Sequence, residues 1–164
     1  MAKKASTSKD SQKPERRLVA QNRKARHKYE ILETLECGLA LVGSEVKSLR
    51  SGRCSLDEAY GRLKEGEVWL IGCDIPEYLE ANRFNHNPKR PRKLLLHRRE
   101  IQKFAARAME KGLTLVPLEI YFKRGRAKVL MAVARGKKLY DKRQAMKKAE
   151  AQRAIRRALH QRRK

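Results

Sequence analysis

The sequence predicts a mainly β protein with two to three helices, folded as a small closed or nearly closed antiparallel barrel. Short stretches of alternating apolar and polar residues recur through residues 29–134, as expected for strands with one buried face. Gly-containing turns join two pairs of these stretches, which is typical of β-hairpins. Two further stretches have the spacing of helices. A barrel is favoured over an open sheet because closure removes exposed strand edges.

The first half of this region is predicted to contain a strand, a short helix and a hairpin. Residues 29–37 alternate as a strand, and Gly38 is expected to interrupt it. A short helix over residues 45–50 follows. Residues 60–71 form two apolar-rich stretches around Gly66, which predicts a hairpin with its turn at that glycine.

The second half is predicted to contain a longer helix and a second hairpin. Residues 98–111 have helical spacing. The apolar stripe of this helix comprises Ile101, Phe104, Ala105, Ala108 and Met109. Residues 118–134 alternate on both sides of the turn at 123–126, which predicts a hairpin with one buried face.

Positive charge is concentrated at the two ends of the chain. The formal net charge is +24, of which residues 29–134 contribute +5, residues 1–28 +8 and residues 135–164 +11. Such an excess repels itself in a compact protein, so a polyanionic partner is expected and nucleic acid fits best. The chain has no apolar run near the roughly 18 residues of a membrane span and no secretory signal, so a cytoplasmic protein without a membrane partner is expected.

The same distribution divides the chain into three parts. Residues 1–18 are predicted to be a disordered basic arm, residues 19–135 an RNA-binding barrel domain, and residues 136–164 a basic tail. The tail is rich in helix formers but has only a thin apolar edge. We therefore expect it to be disordered in the free protein and to become helical when phosphates neutralise its charge.

Catalysis, cofactors and metals are not expected. The histidines are scattered, and the carboxylates form no motif that would hold a metal for a nuclease. Cys37, Cys54 and Cys73 are widely spaced, which argues against a zinc site or a disulfide framework and favours buried or half-buried thiols.

Three basic clusters favour RNA as the partner. Residues 22–29, 89–93 and 137–143 are rich in cations, and the first and last also contain aromatic groups. Any one of them could be an ordinary solvated surface. Together they combine groups that fix phosphates with groups that stack on unpaired bases. The sequence has no recognition helix, leucine zipper or zinc finger for a DNA major groove, which favours RNA over DNA.

Four motifs then identify a family. NRKARH at residues 22–27, GLALVGSEVKSLR at 38–50, RKLLLH at 92–97 and ARGKKLYDKR at 134–143 closely match the SsrA-binding proteins, in the same order along the chain. The sequence therefore resembles this family, the partners of transfer-messenger RNA in bacterial ribosome rescue. The resemblance implies an oligonucleotide-binding-type antiparallel β-barrel and a non-catalytic RNA-binding role.

The resemblance also implies specific partners. Members of the family bind the tRNA-like domain of transfer-messenger RNA and deliver it, with elongation factor Tu, to the A site of stalled ribosomes for trans-translation. A tail that is helical in the empty mRNA channel is implied to sense that mRNA is missing. A monomer is expected. The alternative is a general RNA-binding or ribosome-associated protein, for example an assembly factor, without this specificity.

The resemblance and the basic clusters together nominate three groups of residues. Binding of transfer-messenger RNA is assigned to Glu36, Leu95, Lys128, Arg92 and Lys93. Contact with the ribosomal decoding region is assigned to Asn22, Lys24 and His27. The tail in the mRNA channel is assigned Gly136, Lys137, Lys138, Tyr140, Asp141, Lys142 and Arg143. For Leu95, burial in the core and contact with a base remain equal alternatives.

Overall fold

The computed structural model describes residues 16–81, 85–138, 146, 150, 151 and 153–155. Within the first two ranges, the elements are β1 (Arg16–Gln21), α1 (Arg23–Lys28), β2 (Tyr29–Leu39), α2 (Gly43–Arg50), β3 (Tyr60–Lys64), β4 (Glu67–Ile71), β5 (Arg92–Leu95), α3 (Arg98–Met109), β6 (Leu113–Lys123) and β7 (Arg126–Gly136). No helix in the described parts of the chain is long and apolar enough to cross a membrane.

The strands form one antiparallel sheet that closes on itself. Its order is β1-β6-β3-β4-β5-β2-β7, and β7 also pairs with β6. Six strands therefore make a closed ring. β3 pairs with β6 at Leu115, and β1 pairs with residues 119–123 of the same strand. This closure confirms the predicted class, a mainly β protein with an oligonucleotide-binding-type antiparallel barrel and helices.

Both predicted hairpins are confirmed. The β3–β4 turn has Glu65 at φ 53° and Gly66 at φ 75°, and the β6–β7 turn has Arg124 at φ 50° and Gly125 at φ 73°. Two successive residues with positive φ define the type I′ geometry, whose twist matches that of the paired strands.

The barrel closes where β3 meets β6, and this closure requires a residue without a side chain. Gly61 on β3 lies opposite Leu115 on β6. A Cβ on Gly61 would lie 2.7 Å from the Cβ of Leu115 and 2.8 Å from Cε of Met131. Glycine therefore allows the two strands to approach while the large neighbours fill the interior.

Apolar side chains form one core inside the barrel and a smaller one outside it. The inner core contains Phe104 from α3, Leu70 and Ile120 among its fully buried members. The outer core places Ala25 of α1 against Leu118 and other residues of β6 and β7. α1 is thus fixed to the outer surface of the barrel, close to the start of β2.

Several boundaries differ from those predicted. β1 begins at Arg16, so residues 16–18 belong to a strand and not to a disordered arm. β2 continues through Gly38, because that residue pairs with β5 on one side and β7 on the other. In α3, Phe104 is buried as predicted, but Met109, the last residue of the helix, is 76% exposed.

The basic tail is described at six positions. Residues 146, 150, 151 and 153–155 are helical and exposed. That the free tail is disordered and becomes helical on RNA stays a prediction.

Candidate RNA-binding surface

The outer face of the barrel carries a carboxylate surrounded by cations where β2, β6 and β7 lie side by side. Glu36 on β2 accepts a hydrogen bond from the Tyr121 hydroxyl on β6. The Nζ of Lys123 lies 3.0 and 3.1 Å from the two carboxylate oxygens, and the Nζ of Lys128 on β7 lies 3.7 Å from one of them. We call Glu36, Tyr121, Lys123 and Lys128 the Glu36 cluster.

Strand register produces the Glu36 cluster. Lys128 lies opposite Tyr121 on one side and opposite Gly38 on the other. Glu36 is two residues before Gly38, so it lies on the same face of β2. Residues separated by many positions in the chain are thus neighbours on the outer face.

The electrostatic state of the Glu36 cluster follows from these contacts. The hydrogen bond from Tyr121 lowers the pKa of Glu36 below its ordinary value of 4.5, and Lys123 and Lys128 act in the same direction against partial burial. Burial raises the pKa of Tyr121, and the hydrogen bond to Glu36 raises it further. At neutral pH the cluster therefore holds an ionised carboxylate and a protonated phenol beside the two lysines.

The Glu36 cluster opens into a cationic pocket. Lys123, Arg124, Arg126 and Lys128 line it together with Glu36, and its volume is about 350 Å³. Lysine and arginine side chains donate to phosphate oxygens, whereas an ionised carboxylate accepts from a base amino group or a ribose 2′-hydroxyl. The surface can therefore hold a backbone and also recognise a donor group, which a purely cationic patch cannot do.

β1 supports this surface from the other side of β6. The guanidinium of Arg16 lies 3.9 Å from the centre of the Tyr121 ring and forms an ion pair with Glu119. Tyr121 is only 3% exposed as a result. Arg16, which the sequence placed in a disordered arm, thus helps to fix the tyrosine that donates to Glu36.

Leu95 lies on the same face and is not part of the core. Its side chain is 52% exposed. It lies over Gly38, where an added Cβ would be 3.1 Å from the Cβ of Leu95. Because Gly38 is the direct neighbour of both Leu95 and Lys128, these two residues lie in one row across three strands. Of the two alternatives for Leu95, burial is excluded and a surface role remains.

Lys93 and Arg92 on β5 have opposite environments. Lys93 is partly exposed and pairs with Glu67 on β4. Arg92 is completely buried, and its Nε lies 2.8 Å from Glu45, which is also completely buried. The other nitrogens of Arg92 donate to the carbonyl oxygens of Cys73, Arg90 and Pro88. The prediction that Arg92 contacts RNA is therefore wrong, since its donors are occupied inside the protein.

The Glu45 carboxylate organises this buried network. Arg90 donates to its two oxygens at 2.8 and 2.6 Å, and the backbone N–H of Val42 donates at 2.9 Å. Burial opposes ionisation of Glu45, but the hydrogen bonds from Arg90 and Val42 outweigh it and lower its pKa. The charges are thus matched and hydrogen-bonded, as a buried ion pair requires.

The residues assigned to the decoding region differ in how far they are buried. Asn22 is 5% exposed, its side chain accepts from the N–H of Ala25 and donates to the carbonyl of Leu56, and it therefore caps α1. The prediction that Asn22 contacts the ribosome is wrong for this reason. Lys24 and His27 on α1 are exposed, and Lys24 pairs with Asp57 at 2.6 Å.

The start of the tail lies beside α1. Gly136 ends β7 opposite Tyr29, and the backbone N–H and Nζ of Lys137 both donate to carbonyl oxygens of α1. Lys138 is exposed. The remaining tail residues of the prediction, Tyr140, Asp141, Lys142 and Arg143, lie outside the described residues. Arg26, Tyr29, Ile31 and Lys137 line an open cavity of about 810 Å³ at this junction.

Sequence reasoning missed Tyr121 and Lys123 as members of the surface. Both follow Ile120 and Phe122 in alternation, and those two residues belong to the inner core. The same alternation therefore places Tyr121 and Lys123 outward, on the face of Glu36. That signal was present in the sequence, but the contact with Glu36 depends on the pairing of β2, β6 and β7.

Comparison with known proteins agrees with the motifs. The family model described as SmpB protein matches residues 19–161. An SsrA-binding protein of Rhodopirellula baltica is 56% identical over 142 residues, covering 86% of this chain and 81% of the relative. One from Desulforudis audaxviator is 55% identical over 148 residues, covering 90% of this chain and 96% of the relative.

A solved structure shares the fold. It is described as "tmRNA-SmpB: a journey to the center of the bacterial ribosome", and its chain is 51% identical to this one with a TM-score of 0.64. The match covers 74% of this chain and 85% of the solved chain. Sequence, fold and order of motifs therefore agree, and the chain belongs to the SmpB family of SsrA-binding proteins.

Proposed function

We propose that this chain binds the tRNA-like domain of transfer-messenger RNA through the Glu36 cluster and Leu95, and delivers it to the A site of stalled ribosomes. The protein acts there without catalysis, as a cytoplasmic monomer delivered together with elongation factor Tu. Its relatives are named for binding SsrA, and the solved structure is described as a complex of tmRNA with SmpB in the ribosome. Trans-translation, the rescue of the ribosome with tagging of the nascent chain, is the process in which it takes part.

The observation that carries this proposal is the convergence of Glu36, Leu95 and Lys128 on one face. The sequence nominated all three for RNA binding, although they lie on three different strands. In the fold they surround Gly38, with the Glu36 carboxylate 3.7 Å from the Lys128 ammonium. A structural role for Leu95 would place it in the core, whereas it is half exposed.

The arrangement favours a specific over a purely electrostatic contact. Lys123 and Lys128 are held by Glu36 before RNA arrives, which reduces the rotamer entropy lost on binding. The two lysines then donate hydrogen bonds to RNA phosphates, and the carboxylate accepts one from a 2′-hydroxyl or from a donor on a base edge. Leu95 offers an apolar contact beside them to an unstacked base.

A second surface suits the ribosome. The exposed Lys24 and His27 on α1 lie near the cavity that contains Tyr29 and the start of the tail. We assign this end of the barrel to the decoding region, and the tail from Gly136 onward to the empty mRNA channel. The residues that line the two cavities do not overlap, so we expect one protein to contact transfer-messenger RNA and the ribosome together.

Competition between RNAs tests the proposal. Labelled transfer-messenger RNA is bound to the full chain at physiological salt, and bulk tRNA or ribosomal RNA fragments are added as competitors. We expect unlabelled transfer-messenger RNA to compete at far lower concentration than either. Equal competition by all three would contradict specificity and favour a general RNA-binding protein.

Truncation after Lys138 tests the division of labour, because it keeps β7 and its pairing with β2 intact. We expect this variant to bind transfer-messenger RNA as the full chain does and to lose tagging on stalled ribosomes. Loss of RNA binding would show that the tail, and not the barrel, carries the affinity.

A further inference from the structure

Two cysteines that are distant in the sequence are in contact in the fold. The Sγ atoms of Cys54 and Cys73 lie 3.7 Å apart. Cys54 follows α2, and Cys73 follows β4. The sequence alone suggested three isolated thiols, because nothing in the spacing of these cysteines indicates a pair.

A short backbone bridge holds these two thiols together. Ser55 and Asp74 form an isolated antiparallel bridge, with N–H to carbonyl distances of 2.8 and 3.1 Å. Each cysteine immediately precedes one of these bridge residues, so both side chains lie on the same side of the bridge. The guanidinium of Arg92 donates a hydrogen bond to the backbone carbonyl of Cys73. The backbone therefore places the two thiols on one face as diagonal neighbours, and their side chains reach the 3.7 Å contact from there.

The two thiols differ in access to solvent. Cys54 is partly exposed, whereas Cys73 is completely buried. The hydrogen bond between the two thiols raises the pKa of Cys54, as burial also does, and it lowers the pKa of Cys73, with Arg92 acting in the same direction. Cys54 is therefore the thiol that an oxidant from solvent reaches, and Cys73, the more acidic neighbour, can accept the Cys54 proton when Cys54 reacts.

Cys37 provides an internal reference. It lies in the inner core, is completely buried and has no cysteine among its hydrogen-bond partners. Burial raises its pKa to about 12, and neither solvent nor a neighbouring thiol reaches its sulfur, so we expect it to stay reduced.

We propose that Cys54 and Cys73 are a redox-active pair that hydroperoxides convert to a reversible disulfide in the folded protein. The Cys54 sulfur attacks one oxygen of hydrogen peroxide, the O–O bond breaks, and a sulfenic acid and water form. The Cys73 sulfur then attacks the Cys54 sulfur, the S–O bond breaks, and the hydroxide leaves with the Cys73 proton as water. Two thiols lose two electrons and two protons, and one peroxide becomes two water molecules.

Disulfide formation requires only a local change. A disulfide has an S–S length of about 2.05 Å, so the two sulfur atoms must approach by roughly 1.7 Å. Side-chain rotation supplies this movement while the Ser55–Asp74 bridge remains. The crosslink closes a loop that contains the β3–β4 hairpin, and it lies outside the Glu36 cluster on β2, β6 and β7. Oxidation should therefore stabilise the barrel and leave RNA binding nearly unchanged.

Peptide mapping of the oxidised full chain tests the proposal. The folded protein is treated with a small molar excess of hydrogen peroxide, its remaining thiols are alkylated in denaturant, and the digest is analysed by mass spectrometry. We expect one crosslink between the Cys54 and Cys73 peptides, reversal by dithiothreitol, and an alkylated Cys37. The Tm should rise on oxidation by about 5–10 °C, the increase that closing a loop of this size supports.

Cysteine variants test whether the crosslink joins Cys54 to Cys73 and to no other cysteine. Cys37→Ala should form the crosslink as the unmodified chain does, whereas Cys54→Ala should form none and should show no rise in Tm. A folded protein in which peroxide takes Cys54 to sulfinic or sulfonic acid, or links either cysteine to Cys37 or to another chain, would overturn the proposal. Cys73→Ala supplies a second check, because its Cys54 should then stop at an overoxidised or mixed-disulfide form.

Discussion

The Glu36 cluster and the buried network around Glu45 use the same groups for different purposes. In each, one carboxylate forms ion pairs with two cationic side chains. Glu45 and Arg92 are completely buried, whereas Glu36 and Lys128 each keep about a third of their side-chain surface exposed. The chemistry is alike, and burial decides whether it stabilises the fold or is available to a partner.

This contrast explains why charge alone was a poor guide to the RNA-binding residues. Arg92 and Lys93 are adjacent cations in one basic cluster, yet only Lys93 reaches the surface. A strand places neighbouring side chains on opposite faces, so half of a basic stretch can be internal. Basic residues therefore indicate a surface only after their face is known.

Loss of the buried cation should have the largest effect. Arg92→Ala leaves the Glu45 carboxylate without its fully buried partner and removes the guanidinium hydrogen bonds to the carbonyl oxygens of Cys73, Arg90 and Pro88. We expect the free energy of unfolding to fall by about 3–5 kcal/mol. Urea unfolding measures the loss, with Lys89→Ala as the control for an exposed cation. Unchanged stability together with weakened RNA binding would place Arg92 on the RNA surface after all.

Loss of the two exposed cations should instead act on RNA. The double variant Lys123→Ala, Lys128→Ala removes two phosphate contacts, so the slope of log affinity against log salt should fall by about 1.4–1.8. The affinity for the tRNA-like domain should fall roughly 25- to 60-fold at 0.1 M salt. Filter binding over a salt series measures both quantities.

The matched control is the double variant Lys24→Ala, Lys89→Ala. Both of its lysines are exposed and paired with carboxylates away from the Glu36 cluster. It has the same net charge as the test variant and should bind the tRNA-like domain with nearly unchanged affinity. An equal loss in both variants would indicate attraction by net charge alone.

Loss of the exposed apolar side chain should have a smaller effect. Leu95→Ala should weaken binding about fivefold, because the contact with a base is worth about 1 kcal/mol when partly buried. Its unfolding free energy should change by less than about 1 kcal/mol, since half of the side chain is already exposed. Leu95→Met should retain binding, and Leu79→Ala serves as the control at another exposed leucine. A large loss of stability in Leu95→Ala would mean that the residue supports the core.

The smallest effect is expected at α1. Lys24 and Asp57 form an exposed ion pair, so Lys24→Ala should lower the free energy of unfolding by less than about 1 kcal/mol. Binding to isolated transfer-messenger RNA should be unchanged, and tagging on stalled ribosomes should fall. Reduced binding to the isolated RNA would show that Lys24 contacts transfer-messenger RNA and not only the ribosome.

Local features of the fold could be predicted from the sequence, whereas pairings between distant strands could not. The hairpins at Gly66 and Gly125 depend on neighbouring residues and were confirmed. Closure depends on Gly61 meeting Leu115, a contact between strands that no local pattern connects. For the same reason, the proximity of Cys54 and Cys73 could not be predicted.

The candidate surface was predictable in part. Glu36, Leu95 and Lys128 were implied by the family resemblance, and the fold places them together. Asn22 was implied by the resemblance and Arg92 belongs to a basic cluster, but both are buried because their polar groups satisfy the backbone of other segments. Composition does not reveal such internal partners, since they come from parts of the chain that meet only after folding.

Replacement of Glu36 tests the central claim most directly, because charge and geometry predict opposite results. Glu36→Ala removes a negative charge from a protein that binds a polyanion, so net attraction alone predicts equal or tighter binding. Our account predicts the reverse: loss of the acceptor that holds Tyr121, Lys123 and Lys128 weakens binding to the tRNA-like domain about tenfold or more. The measurement is the Kd at physiological salt beside Glu58→Ala, which removes an exposed carboxylate elsewhere. Weaker binding in Glu36→Ala alone supports a built site, and equal or tighter binding in both variants contradicts it.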